Sequence, residues 1–176
     1  GFLLSGFFLL VSSLSQMNPQ ITPLVPVLSS PLLSVHVSLV MAAYALLAFT
    51  FLTAVTALTL VAARGGTRAL GVADQTEALR RVSQLFLLPG LAFLGAGIFV
   101  GAVWADQSWG RYWGWDPKEV WALISFLIYA VAAHDGSLRP LRHPVVYHAY
   151  MIQAFLSVVI TYWGVNYFLG GLHSYA

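Results

Sequence analysis

The sequence predicts an all-α fold: a polytopic membrane helix bundle of about five transmembrane helices with an external aromatic loop. Three observations carry that prediction. Of 176 residues, 59% are hydrophobic and 8% are charged, whereas a soluble domain is about one quarter charged. The apolar residues fall in long stretches separated by short segments rich in Pro, Gly and Arg. No stretch alternates apolar with polar residues as a barrel strand does, so the spans must be helices that satisfy their own backbone hydrogen bonds.

Residues 1–15 are apolar but short of the roughly 20 needed to cross a bilayer. With no initiator Met and no basic leader, they fit a signal peptide poorly. We read them as the interior of a helix that begins before Gly1, which makes the chain the expected C-terminal part of a longer protein. Between residues 18 and 31, Pro19, Pro23, Pro26 and Pro31 forbid a regular helix and predict an extended loop. The second span is 32–63, with His36 at its start. Residues 64–81 form a polar segment in which Arg64, Arg68, Arg80 and Arg81 stand among Gly65, Gly66 and Gly71.

The third span, 82–105, carries Gly90, Gly95, Gly97 and Gly101 as small surfaces for close helix packing, and Pro89 as a candidate kink. A shorter fourth span, 119–134, follows Pro117, whose missing N–H suits a helix start. Residues 135–143 form a polar turn. The fifth span, 145–169, ends before His173. No internal repeat or linker divides the chain, so 1–176 reads as a single domain.

Between the third and fourth spans lies WGRYWGWDPKE, residues 109–119, with Trp109, Trp113, Trp115 and Tyr112. Arg111, Asp116 and Lys118 keep this run out of the hydrocarbon, because each charge at the bilayer centre costs roughly 2.5–3.5 kcal/mol. An interfacial aromatic belt is one reading. The density of rings, with Gly110 and Gly114 between them, leaves a second: a shelf for another flat object.

Arg64, Arg68, Arg80, Arg81, Arg139 and Arg142 fall on one side, against Arg111 and Lys118 on the other. By the positive-inside rule the six-arginine side is cytoplasmic and the aromatic loop external. His36 and His173 then share the membrane level of that loop. Imidazole is the commonest protein ligand of transition metals and of haem iron, and a porphyrin also needs a flat apolar surface. A hydrogen-bonded interface role remains the alternative for each. His134 falls at the inner end of the fourth span and His143 in the cytoplasmic turn, where it reads as structural or solvated. His148, one turn inside the fifth span, is an intramembrane ionisable group and a possible partner for His134. The absence of cysteine leaves any thiol chemistry to a partner. A net charge of +2 with no basic stripe gives no sign of nucleic acid.

The run WGRYWGWDPKEVWAL, residues 109–123, resembles the tryptophan-rich (WWD) signature of the cytochrome c assembly family. It looks most like the CcsA (ResC) branch of system II. SPLLSVHVSLVMAAYALLAF around His36, GAVWADQSWG before the signature and GVNYFLGGLHSYA at the end agree with that branch. The resemblance implies that His36 and His173 are axial ligands of haem b held outside the membrane. It further implies that Trp109, Trp113, Trp115 and Asp116 belong to the part that holds the porphyrin and presents its vinyl groups to an apocytochrome c CxxCH segment. His134 matches a histidine of a transmembrane haem site, whose usual counterpart is not in this chain. The implied partners are a CcsB/ResB-type membrane subunit, fused or separate, apocytochrome c and a thiol-reducing protein. The implied location is a bacterial inner membrane or a thylakoid membrane, and the implied activity is part of a cytochrome c synthase, or haem lyase.

Within that reading Arg111 and Lys118 are the external cations available to a haem propionate, and Tyr112 adds a ring to the shelf. Lys118 equally suits a local charge network with Asp116 and Glu119, and Asp116 before Pro117 equally caps the fourth helix. The alternatives are a cytochrome b-like electron carrier, which places histidine pairs deep within facing helices, and a haem exporter of the CcmC type, which shares the loop and differs in the recipient.

Overall fold

The structure, a computed structural model, describes residues 30–169. Helix α1, Pro31–Ala63, opens on Ser30, whose side chain accepts from the Leu32 N–H at 3.2 Å, with Pro31 in the first turn. It stops at Gly65 and Gly66, both at positive φ. Helix α2, Val72–Trp109, runs 38 residues through Pro89 and ends where Gly110, at φ 71°, donates to the Asp106 carbonyl. Helix α3 is Pro117–Ala133. A 3₁₀ turn, Arg139–Arg142, leads into α4, Pro144–Val159. A π-helical turn, Ile160–Gly164, then continues α4 into the short α5, Val165–Phe168.

Three helical stretches are long and apolar enough to cross a membrane: Pro31–Ala63, Val72–Trp109 and Pro144–Phe168. Helix α3, at 17 residues, is about 26 Å long at 1.5 Å per residue, close to the roughly 30 Å hydrocarbon thickness. The chain is thus a polytopic helical membrane protein, with no strand among the described residues. The expected first span and the proline-rich loop, apart from Ser30 and Pro31, lie outside the described residues.

Two boundaries differ from expectation. The polar segment 64–81 is only partly a loop, because α2 already begins at Val72. VADQTEALRR contains no breaker after Gly71, and Glu77 pairs with Arg80 and Arg81 at spacings of three and four. At its other end α2 extends to Trp109, which therefore belongs to the helix and packs edge-on against the buried Trp104 at 4.8 Å.

Small residues set how the helices meet. A Cβ on Gly90 would fall 3.0 Å from Leu47, one on Gly97 2.8 Å from Val40 and one on Gly101 2.6 Å from His36, all across the α1–α2 contact. Gly95 faces Phe126 of α3 instead, at 3.1 Å. Helix α4 packs on α1, α2 and α3, and the core gathers Leu47, Leu87, Leu94, Tyr129, Tyr147 and Met151.

The arginine-bearing end is tied by polar contacts. Arg80 reaches both Glu77 and Asp135, and Gln84 also donates to Asp135. The Tyr147 and Ser83 hydroxyls lie 3.1 Å apart. The fully buried His148 donates from Nε2 to the Thr76 carbonyl at 3.1 Å, and its buried Nδ1 has no hydrogen-bond partner. His134 caps α3 and bonds Ala130 of its own helix at 2.8 Å. His134 bonds within its own helix and the remaining ring nitrogen of His148 has no partner, so the two histidines do not form the hydrogen-bonded His134–His148 pair allowed for above.

Candidate functional site at the aromatic loop

The loop 110–116 gets its shape from the start of α3. Asp116 is the N-cap: its side chain accepts from the Lys118 N–H at 3.1 Å, and Glu119 reaches back to the Asp116 N–H at 3.1 Å, completing a capping box. The same Glu119 oxygen also accepts from the Gly114 N–H at 2.8 Å. One carboxylate thus holds two successive parts of the loop. Arg111, exposed, folds over Gly114, where its Nε would lie 3.1 Å from a Cβ. Trp115 stands at φ 57° and is 77% exposed, with its ring edge-on to Trp113 at 6.1 Å. The left-handed conformation costs a residue with a Cβ about 1–2 kcal/mol, so the loop holds a large indole outward against its own backbone preference.

Behind the loop is a cavity of about 320 Å³. His36, Val37, Met41 and Tyr44 of α1 form one wall, Ile98 and Gly101 of α2 another. Tyr112 and Trp113 close it from the loop, Lys118 and Glu119 from α3, and Thr161, Tyr162 and Asn166 from the π-helical turn and α5. The wall is mostly apolar and aromatic, with a few polar groups.

His36 is anchored at 2.8 Å to the carbonyl of Gly97, 61 residues away. A carbonyl only accepts, so the imidazole donates from Nδ1, and in the neutral ring the lone pair is on Nε2. That tautomer and that backbone partner are the usual arrangement of a ligating histidine.

The expected site residues therefore separate. His36, Tyr112 and Trp113 meet at the cavity, together with Lys118. Trp115 and Arg111 sit on the outer part of the same loop, Trp109 at the end of α2 and Asp116 buried beneath the loop as a helix cap. His134 lies at the opposite end of α3 from Asp116. His173 lies outside the described residues. Sequence reasoning missed Gly101, Glu119, Thr161 and Asn166 as parts of the cavity. The D-x-x-E spacing of Asp116 and Glu119 signals a capping box, and this was the one available clue. The other three are identified only by contacts between distant segments. Asn166 donates to the Tyr162 carbonyl, and its buried Oδ1 has no hydrogen-bond partner.

Among the described residues no three His, Cys, Asp or Glu side chains gather to hold a bare metal ion. A metal already chelated by a macrocycle needs only axial donors. An imidazole with its Nδ1 anchored, flat aromatic and apolar walls and a lysine at the rim fit such a group.

The fold and the cavity define a class, that of polytopic helical membrane proteins with an aromatic-lined cavity beside one inter-helix loop. Residues 1–173 match the family model described as "Cytochrome C assembly protein", and the chain belongs to that family. It is 40% identical to Protein NrfI of Wolinella succinogenes over 174 residues, covering 99% of this chain and 19% of the relative. It is 43% identical to cytochrome c biogenesis protein CcsA of Gloeobacter violaceus over 120 residues, 67% of this chain and 34% of the relative. With CcsA of Chlamydomonas reinhardtii the identity is 37% over 167 residues, 93% of this chain and 46% of the relative. The chain thus spans less than half the length of each of these relatives.

Proposed function

We propose that this chain is a haem-handling part of a membrane cytochrome c assembly apparatus, holding haem b at the aromatic loop and presenting it for covalent attachment to apocytochrome c. The observation that carries the reading is the convergence of His36, Tyr112 and Trp113 on one cavity, with the His36 imidazole anchored through Nδ1. Family membership and relatives named for cytochrome c biogenesis support the biological role.

In this reading His36 and His173 supply the two axial imidazoles, which leave the iron no open position for oxygen chemistry. Trp113, Tyr112, Trp115 and Trp109 contribute the aromatic surface. Lys118 and Arg111 face the propionates, and Asp116 acts indirectly by capping α3 beneath the loop. His134 belongs to a second haem site at the other end of the bundle, on the route of entry. Haem supplies the vinyl carbons to which the cytochrome thiols add. This chain, without cysteine, contributes binding and orientation. The partners are a CcsB/ResB-type subunit, a CxxCH-bearing apocytochrome c and a thiol reductant. The aromatic loop faces the periplasm or thylakoid lumen, opposite the arginine-bearing end. A cytochrome b-like carrier is less well supported, because the described histidines lie toward the ends of their helices and not as facing pairs deep in the bundle.

The test is a pyridine haemochrome assay with absorption spectra on the purified full-length protein. His36→Ala and His173→Ala are each expected to lose the low-spin bis-histidine absorption and to regain part of it with added imidazole. His134→Ala should lower haem content while leaving the spectrum of the retained haem unchanged. Unaltered spectra in both external variants would refute the ligand assignment.

A further inference from the structure

We infer that α2 is the positioning element for the His36 ligand, through the Gly97 carbonyl and the bare backbone face at Gly101. This rests on the proposed ligand role of His36 and adds the residues that orient it. His36 leaves α1 within two turns of its start, and a histidine at such a helix end has several rotamers open to it. Two contacts with α2 select one. The Gly97 carbonyl takes the Nδ1 proton at 2.8 Å, which fixes both the tautomer and the direction of Nε2. One turn further along α2, Gly101 meets the ring: a Cβ there would lie 2.6 Å from both Cε1 and Nδ1. Packed carbon atoms settle at about 3.5–4.0 Å, so a methyl group at 101 displaces the imidazole by roughly an ångström. Ala102 and Ile98 beside Gly101 line the same cavity, so the displaced ring moves relative to the place a macrocycle would take.

Gly90 provides the comparison, because it lies on the same α1–α2 contact, where a Cβ would come 3.0 Å from the end of Leu47, far from the cavity. A residue that only packs helices lowers yield or haem content. A positioning residue changes the ligation of the haem that stays bound.

The experiment compares Gly101→Ala, Gly90→Ala, His36→Ala and the double variant Gly101→Ala/His36→Ala in the full-length protein, reading the low-spin to high-spin ratio per bound haem and its titration with imidazole. Gly101→Ala is expected to lose most of the low-spin signal and to weaken haem retention about 10- to 100-fold, the usual cost of losing an outer-shell partner. Added imidazole should restore the signal. Gly90→Ala should keep the wild-type ratio whatever its yield, and the double variant should match His36→Ala. If His36→Ala alters the spectrum and Gly101→Ala does not, α2 does not position the ligand although the ligand assignment stands. If His36→Ala itself leaves the spectrum unchanged, the ligand assignment fails first.

Discussion

Trp115 is the residue most at odds with its own backbone. At φ 57° and 77% exposed, its ring contributes little burial, so Trp115→Gly should relieve strain and raise thermal stability by up to about 1 kcal/mol. The same variant should retain less haem. A stability loss on melting would show that the ring, not the loop geometry, holds this segment. Asp116 and Glu119 act the other way. Asp116→Ala removes the N-cap of α3 at a cost of about 1 kcal/mol. Glu119→Ala should loosen the loop more than its effect on the helix explains, because it strands both the Gly114 and the Asp116 N–H groups. Hydrogen exchange at those two amides is the direct measure, and unchanged protection would count against the clamp. Sequence reasoning recognised the Asp116 cap from its place before Pro117, but it did not recognise Glu119's second bond to Gly114, which depends on the path of the loop.

Among the elements, α2 is joined to the turn after α3 at the arginine-bearing end by Arg80 and Gln84, which both bond the largely buried Asp135, while Glu77 holds Arg80 from within α2. Removing one partner of such a pair leaves a charge poorly solvated, so Arg80→Leu should destabilise toward the lower end of the roughly 3–5 kcal/mol range, the site being partly solvated. Arg80→Leu with Asp135→Leu should recover much of that loss in a detergent melting series. Equal loss in single and double variants would mean that the ion pair is not the reason. Composition placed Arg80 and Arg81 in a loop because charges disfavour a membrane span. The helix nonetheless begins at Val72, since the residues after Gly71 favour helix and the first turns of α2 extend past the apolar stretch. The π-helical turn at Ile160–Gly164 was equally invisible in sequence. It sets Thr161 against Ser125, with their hydroxyls 3.1 Å apart, and brings Tyr162 to the cavity.

At the scale of the molecule, the helices put Arg64, Arg68, Arg80, Arg81, Arg139 and Arg142 at one end and the aromatic loop at the other. The chain has no cysteine, so single substitutions within it report topology against the labelling of the unsubstituted protein. Arg111→Cys is expected to react with a membrane-impermeant maleimide in intact cells, and Ala69→Cys only after permeabilisation. Labelling of both from the same side would overturn the alternating arrangement of the spans.

Hydropathy, breakers and caps are properties of neighbouring residues, because a bilayer and a helix end both act on short stretches of chain. For that reason the sequence alone determined the helical class, the helices read as the second to fifth spans to within a few residues at most ends, the loop between α2 and α3 and the cap at Asp116. What stands behind His36 was decided only by tertiary structure: the Gly97 carbonyl is 61 residues away, and the cavity draws on α1, α2, α3 and the turn after α4. Close approach of helices depends on which small residue meets which large one across the interface, and no local pattern encodes that pairing.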